Sequence, residues 1–382
     1  MKLSNDFLDR LIAFRRELHK YPEVSKKEHK TAKKVRDFLE EFEPDELIEN
    51  LGKTGLAAVF YGEEDGPVVL VRADIDALPI QEVNDFDHKS VFPDVGHKCG
   101  HDGHTTILTG LAGIVHRNPV KKGKLVLLYQ PAEETGEGAE LVLNDPKFEK
   151  IKPDYVFALH NLPGFKRGNV LVSDRHFAAA SKGMIIRLTG KTSHAATPEL
   201  GVSPALAVAE IIQQLTELSQ KGEGFEDFKL ITIIHTRIGE IAFGTTPGYA
   251  EVMATLRSYR NDDMDLLTDK AVKIAEKIAD KYNLHEKIEW TEEFPATINN
   301  PECTGLIREV AKENDLKIEE IQTPFRWSED FGHFTMKAPG AYFGIGAGKD
   351  HPPVHNPDYD FPDEIIKTGI TMFNGIIRKF LG

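Results

Sequence analysis

The pattern of apolar segments constrains the fold of this chain most strongly. From about residue 56 onward, apolar runs of strand length alternate with segments of helical periodicity. The pattern predicts strands at 56–61, 68–73, 124–129 and 155–159, and helices at 105–115 and 138–143. Such alternation is typical of an α/β sheet with helices on both faces. Two helices precede it. Pro22 ends the first, and the second is predicted at 25–41 with a capping box of Ser25 and Glu28.

A different pattern begins near residue 183. It predicts strands and helices in the order β-α-β-β-α-β, at 184–189, 204–218, 230–235, 249–256, 264–282 and 287–290. This order is typical of a ferredoxin-like sandwich, whose exposed sheet edge or helix face is suited to pairing. The α/β pattern resumes after residue 295 and ends in a helix at 362–380. We therefore predict an α/β catalytic domain with a mixed sheet at 1–182 and 295–382, interrupted by an inserted α+β domain at 183–294.

Composition excludes several classes of protein. The formal net charge of −14 argues against a nucleic-acid partner. The sequence contains no apolar run long enough to cross a membrane. Only Cys99 and Cys303 are present, which excludes a disulfide framework and fits a reducing, cytoplasmic location.

Residues 97–104 (HKCGHDGH) are the clearest chemical signal. They place three histidines, one cysteine and one aspartate within eight positions. Cysteine and histidine are the most adaptable metal ligands among the side chains. We therefore predict a metal site, with Cys99 in a turn and His101 near the start of a helix.

Further polar groups follow predicted strands, where sites of α/β sheets assemble. Asp74 and Asp76 come after 68–73 and either cap a turn or orient a ligand histidine. Glu133 and Glu134 come after 124–129. Of two adjacent carboxylates, one can bind a metal while the other accepts a proton from the metal-bound water. His160 ends 155–159 and is either a core residue or a ligand.

Three more candidates complete the set. His355 lies in a loop that prolines make stiff. It is either a metal ligand, which a stiff loop would hold in place, or part of a plain proline-rich loop. His194 either lies on the surface or donates a hydrogen bond to a developing oxyanion. Arg257 either lies on an exposed strand or holds a substrate carboxylate.

Counting ligands indicates two metal ions. One catalytic zinc typically takes about three protein ligands and keeps an open position. Five candidate groups therefore fit a pair of metals with one bridging group: Cys99, His101, Glu134, His160 and His355. Mixed sulfur, nitrogen and oxygen ligands suit zinc, and manganese, cobalt or nickel are also compatible.

In these motifs the chain resembles the co-catalytic metallopeptidase family of aminoacylases and carboxypeptidases. Within it, the chain is similar to the amidohydrolase subgroup of hippurate hydrolases, auxin-conjugate hydrolases and N-acetyl-diaminopimelate deacetylases. The matching motifs, in chain order, are residues 15–23, 72–79, 97–104, 130–134, 193–195 and 355–357.

The resemblance implies a role for each residue. It makes the five groups counted above the ligands, with Cys99 bridging, and it makes Glu133 the general base and later the acid. His194, from the partner subunit, would stabilise the oxyanion, and the inserted lid domain would form a homodimer. Glu329 and Asp330 match a motif near the site without an assigned role.

Two departures from the family pattern affect the expected substrate. Residues 244–247 (GTTP) stand where many relatives carry an Asn-Val-Ile-Pro-like segment, so contacts from the inserted domain are expected to differ. Lys98 stands where relatives often have a small residue, and a cation there would favour an anionic substrate.

The sequence therefore predicts a metal-dependent amidohydrolase that cleaves N-acyl amino acids or related amides. Three alternatives remain open. They are a metallo-carboxypeptidase or dipeptidase on short peptides, a thiol hydrolase that uses Cys99, and a metal or ligand sensor without turnover.

Overall fold

The computed structural model describes residues 3–220 and 224–382. The strands formed by these residues are β1 (Glu46–Leu51), β2 (Gly55–Tyr61), β3 (Glu64–Asp74), β4 (Lys122–Gln130), β5 (Tyr155–Pro163), β6 (Val170–Val172), β7 (His176–Ala178), β8 (Ala180–Thr189), β9 (Ser193–His194), β10 (Lys229–Ile238), β11 (Thr245–Thr246), β12 (Tyr249–Ser258), β13 (His285–Phe294), β14 (Thr297–Ile298), β15 (Ile318–Glu320) and β16 (Gly340–Gly348).

The α-helices within the same residues are α1 (Asn5–Lys20), α2 (His29–Leu39), α3 (His101–Arg117), α4 (Gly138–Leu143), α5 (Ala205–Gln220), α6 (Asn261–Lys281), α7 (Pro301–Glu313), α8 (Gly332–Thr335) and α9 (Ile366–Leu381). Among these described helices, none is both long and apolar enough to span a membrane.

The chain divides into two compact units. The larger unit contains Met1–Phe177, Thr297–Thr323 and Asp330–Gly382, and the smaller contains Ala178–Ala296 and Pro324–Glu329. The sequence pattern predicts the insert at 183–294. In the structure, strand β8 already begins at Ala180, before the start of the apolar pattern from which the boundary was predicted.

An eight-stranded mixed sheet organises the larger unit, in the order β1-β2-β4-β3-β5-β16-β6-β15. The four central strands β4, β3, β5 and β16 are mutually parallel. Strands β1 and β2 pair antiparallel with their neighbours, and β6 pairs antiparallel with β16 and parallel with β15. The predicted α/β class with a mixed sheet is confirmed.

Helix α3 passes through the core of the larger unit. Every residue from His101 to Val115 is buried, because helices α1 and α9 and the central strands pack around it. Gly369 of α9 permits this packing, since a Cβ there would lie 2.5 Å from the Ile107 side chain. The close packing makes α3 a rigid support for residues at its first turn.

The smaller unit contains a four-stranded antiparallel sheet in the order β10-β12-β8-β13. Helices α5 and α6 pack on it around an apolar cluster that includes Ile186, Ile211 and Ala275. The chain order β8-α5-β10-β12-α6-β13 and the strand order are those of a ferredoxin-like sandwich. Strand β10 is one edge of this sheet.

Two local predictions differ from the structure. The second helix begins at His29, not at residue 25, because Ser25 and Glu28 bind elsewhere. The Ser25 hydroxyl donates to Asp76, and the Glu28 carboxylate accepts from the Thr54 hydroxyl, so no capping box forms. The pattern also did not mark strand β1 or helix α7.

Candidate metal centre

The four parallel central strands bring the predicted site together. Because β4, β3, β5 and β16 are parallel, their carboxyl ends lie at one edge of the sheet. Asp76 follows β3, Glu133 and Glu134 follow β4, His160 lies near the end of β5, and the loop with His355 follows β16.

Cys99 is shared by two groups of ligand-type atoms at this edge. Its sulfur lies within 4.8 Å of ring nitrogens of His101 and His160, and also of ligand atoms of Glu134 and His355. The Cys99 Sγ–His160 Nε2 distance is 3.4 Å, and the His355 Nε2–Glu134 Oε2 distance is 3.5 Å. The structure therefore brings together all five predicted ligands, with the thiol in the middle.

His101 presents one ring nitrogen to this group. Its Nδ1 lies 3.0 Å from the backbone oxygen and 3.2 Å from Oδ1 of Asp76, and this contact orients the ring. Its Nε2 is buried and has no hydrogen-bond partner among the described residues. It faces Glu134 Oε1 at 3.7 Å and Glu133 Oε2 at 3.9 Å.

Buried polar atoms without a partner are costly. At this site Glu134 Oε1, like His101 Nε2, is buried and has no hydrogen-bond partner among the described residues. A cation between His101 Nε2 and Glu134 Oε1 would satisfy both. The donor set also contains a thiol, imidazoles and a carboxylate, which are ligands of divalent transition metals. The residues present therefore fit a metal.

The pKa values of the predicted ligands are shifted in different directions. Burial lowers the pKa of His160 well below its usual value and lowers that of His355, which favours the neutral imidazole that binds metals. Burial raises the pKa of Glu134 to about 8. Burial acts against the charged form of His101, but Asp74 and Asp76 raise its pKa to about 10.

Two non-glycine residues at the site have left-handed backbone conformations. Ala132 has φ +52° and His355 has φ +67°, a conformation that costs roughly 1–2 kcal/mol for residues with a Cβ. The Ala132 N–H donates to Glu28 Oε1 at 2.9 Å, and the His355 N–H donates to the Lys98 carbonyl at 2.6 Å. A typical hydrogen bond contributes about 0.5–1.5 kcal/mol, so the Glu28 bond offsets part of the strain at Ala132.

The comparisons with known proteins identify the family. Residues 70–379 match the family model described as peptidase family M20/M25/M40. The chain belongs to this M20 family. The resemblance deduced from the motifs is thereby confirmed.

M20 relatives cover the whole chain. It is 31% identical over 374 residues to the N-acetyl-L-cysteine deacetylase of Bacillus subtilis (strain 168), which covers 96% of this chain and 88% of the relative. It is 32% identical over 386 residues to the hippurate hydrolase of Campylobacter jejuni, over 100% of both chains. A solved Bacillus subtilis structure, described as a dinuclear metal binding peptidase from the M20 family, has a TM-score of 0.84 and 28% identity over 99% of both chains.

The position of Lys98 in the 97–104 motif suggested a free cation beside the metal site, and the structure shows a different role. Its side chain is fully buried, and its ammonium donates to Glu82 Oε1 at 2.5 Å and to the Tyr359 carbonyl at 2.8 Å. The charge is thus paired with a buried carboxylate. The expectation that Lys98 favours an anionic substrate was wrong, because the sequence does not show that Glu82 lies beside it.

Several polar residues of the site were missed or left without a role. Asp74 accepts from Arg72 at 2.6 Å and lies 2.6 Å from His104 Nδ1. Asp330 accepts from Arg72 at 2.7 Å and from the Ala139 N–H at 2.8 Å. Apart from the local Arg72–Asp74 pair, these bonds join segments that are distant in the sequence, and no local motif indicates them.

The predicted substrate residues belong to the smaller unit. His194 is exposed on β9, and its Nδ1 accepts from the Ala196 N–H at 3.0 Å. One terminal nitrogen of Arg257 donates to the Arg326 carbonyl at 2.8 Å and to the Ser328 hydroxyl at 2.9 Å. Glu329, which had no assigned role, is also buried in this unit.

A buried ionic network lies beside the residue 97–104 turn. His19 places Nδ1 2.9 Å from Asp102 and Nε2 3.0 Å from Glu82, so both ring nitrogens face carboxylates. Arg15 also donates to Asp102, at 3.1 Å. Although burial acts against the charge, Asp102 and Glu82 raise the pKa of His19 to about 9.

This arrangement predicts a pH dependence of stability. Because the pKa of His19 is higher in the folded than in the unfolded chain, its contribution is fully present below about pH 6.5 and is lost as the pH rises through about 9. The destabilisation caused by His19→Gln is therefore expected to shrink by roughly 2–4 kcal/mol between about pH 6 and pH 10. Urea unfolding of both proteins across this range measures the difference, and a difference independent of pH would contradict the assignment.

Proposed function

We propose that this chain is a metal-dependent amidohydrolase that cleaves N-acyl amino acids or related amide conjugates. The observation that carries the proposal is the pair of ligand groups that share the Cys99 sulfur, with Glu133 adjacent. The named activities of the two relatives, on N-acetyl-L-cysteine and on hippurate, both concern N-acylated amino acids and support the substrate class.

The proposed metal site contains two divalent ions per chain. Cys99, which belongs to both groups of ligand-type atoms, would be shared between them, and His101, Glu134, His160 and His355 would complete the set of residues that hold them. The M20 structure described as dinuclear supports the number of ions. Zinc, manganese, cobalt and nickel all suit this mixed donor set.

In the proposed reaction, Glu133 moves the proton. The bound metals would polarise the amide carbonyl and lower the pKa of water. Glu133 removes a proton from the attacking water, whose oxygen forms a bond to the carbonyl carbon. Glu133 then donates this proton to the amide nitrogen, and the C–N bond breaks to give a carboxylic acid and an amine; at neutral pH the acid ionises and the amine takes up a proton.

Two residues of the smaller unit are proposed to bind the substrate. Because His194 Nδ1 accepts a backbone N–H, the neutral ring carries its proton on Nε2, which can donate to the developing oxyanion. The Arg257 guanidinium is held by Arg326 and Ser328, and its other N–H groups are proposed to hold the substrate carboxylate.

We also propose that the inserted unit forms a homodimer, from which His194 of the partner subunit would reach the site. Edge strand β10 exposes Ile234, and the following loop exposes Ile241 and Phe243 fully. Exposed apolar groups on a sheet edge favour pairing with a second copy. Since the site needs a reduced Cys99, we propose the cytoplasm as its location.

The test of the proposed base is Glu133→Gln, which keeps the shape but cannot accept the proton. We expect kcat on N-acetyl amino acids to fall by about 10²–10⁴-fold. Release of free amino acid measures the rate, and metal analysis should still find two ions per chain. Turnover equal to that of the wild type would exclude Glu133 as the base.

Metal removal separates the proposal from its rivals. Chelation is expected to abolish turnover, and added zinc or manganese is expected to restore it, because the proposed reaction needs the metals to lower the pKa of the attacking water. A thiol hydrolase would keep its activity after chelation and lose it on alkylation of Cys99. A sensor would bind acyl amino acids without product, and a peptidase would prefer short peptides in the same panel.

The dimer is tested by placing a charge on the edge strand. We expect the wild type to sediment at twice the mass of one chain, and Ile234→Lys to sediment as a monomer, because burying a lysine in a strand pairing is unfavourable. Val83→Lys is the matched control, since both residues are 60% exposed and Val83 lies in the other unit. A monomeric wild type would refute the proposed dimer.

A further inference from the structure

The loop that carries Glu133 is held by a carboxylate on each side. The N–H of Ala132, the preceding residue, donates to Glu28 Oε1 at 2.9 Å. The N–H of Glu134, the following residue, donates to Asp76 Oδ2 at 3.0 Å. The backbone on both sides of Glu133 is therefore bound to buried carboxylates from elsewhere in the chain.

Three hydrogen bonds hold the Glu28 side chain beside the loop that carries Glu133. It is fully buried, and no lysine, arginine or histidine within residues 3–220 and 224–382 pairs with it. Its oxygens instead accept from the Thr54 hydroxyl at 2.6 Å and from the N–H groups of Lys26 at 2.8 Å and Ala132. These bonds satisfy the buried carboxyl group, and the bond to Ala132 ties it to the loop.

The left-handed conformation of Ala132 makes its hydrogen bond to Glu28 important for the shape of the loop. Ala132 has φ +52° and directly precedes Glu133, whose Oε2 lies 3.9 Å from His101 Nε2. A residue with a Cβ prefers the right-handed region, and the bond to Glu28 offsets part of that preference. Without an acceptor at Glu28, the buried Ala132 N–H would lose its partner and the loop would gain other conformations.

We propose that Glu28 is a positioning residue for Glu133, acting through the Ala132 N–H to hold the base in its reactive orientation. The inference rests on the proposed function. Asp76 contacts the neighbouring N–H of Glu134 and the ring of His101, so it acts on the ligands. Glu28 contacts neither of these groups and acts on the base.

The experiment compares Glu28→Ala with Glu28→Gln. Glu28→Ala removes the acceptor and is expected to lower kcat about tenfold to hundredfold, with KM changed less than about threefold, since small misplacements of a catalytic group have effects of this size. Glu28→Gln keeps an amide oxygen for Ala132 and is expected to stay within about threefold of the wild type. Both variants should retain two metal ions per chain.

A double mutant tests whether Glu28 acts through Glu133. Because the base is absent from Glu133→Gln, adding Glu28→Ala to it is expected to cause no further loss. An additional loss as large as in the wild-type background would overturn the proposal, as would full activity of Glu28→Ala or loss of its metal. Activity of Glu133→Gln equal to the wild type would overturn the proposed function itself, which distinguishes the two failures.

Two further variants control for folding. Glu23 accepts from the N–H of Thr31 at 2.8 Å and has no bond to the Glu133 loop, so Glu23→Ala is expected to lower stability and leave kcat unchanged. If Glu28→Ala does not fold, Thr54→Val removes the hydroxyl that orients Glu28. It is expected to lower kcat about threefold to tenfold, again only when Glu133 is present, and unchanged kcat would overturn the proposal.

Discussion

The parallel alignment of β4, β3, β5 and β16 is the constraint on which the site depends. Parallel strands end at the same edge of a sheet, so four loops that are distant in sequence converge there. Helix α3, buried along most of its length, adds its first turn to the same place. The atoms of the proposed ligands are therefore positioned by backbone pairing and core packing, and a site held in this way would need little reorganisation to bind a metal.

The second feature of the site is a pair of buried polar atoms whose hydrogen-bonding capacity is unused. His101 Nε2 and Glu134 Oε1 have no hydrogen-bond partner within the described part of the chain, although the residues around them are bonded through several long-range contacts. Two of the ten described non-glycine residues with left-handed conformations, Ala132 and His355, lie at the same place. Residues that are costly to the fold and lie together at one sheet edge are typical of a functional site.

Much of this could be predicted because it depends on local patterns. The apolar runs identify three of the four central strands, β3, β4 and β5, but not β16. The ligand-type residues at the ends of these strands indicate the chemistry. Lys98 and Glu28 could not be predicted in the same way. Lys98 looked like a cation beside the metals, and Glu28 looked like part of a helix cap, because the sequence does not show that Glu82 or Ala132 is the partner.

The sequence by itself determined the class of fold, the family and the residue types available for metal binding, because periodicity, motifs and donor chemistry are properties of short segments. The tertiary structure decided which groups face one another: Cys99 between two sets of ligands, Lys98 paired with Glu82, and Glu28 beside the loop of Glu133. The physical reason is that hydrogen bonds and ion pairs between distant segments depend on how the sheet and helices pack, and packing is a property of the whole chain.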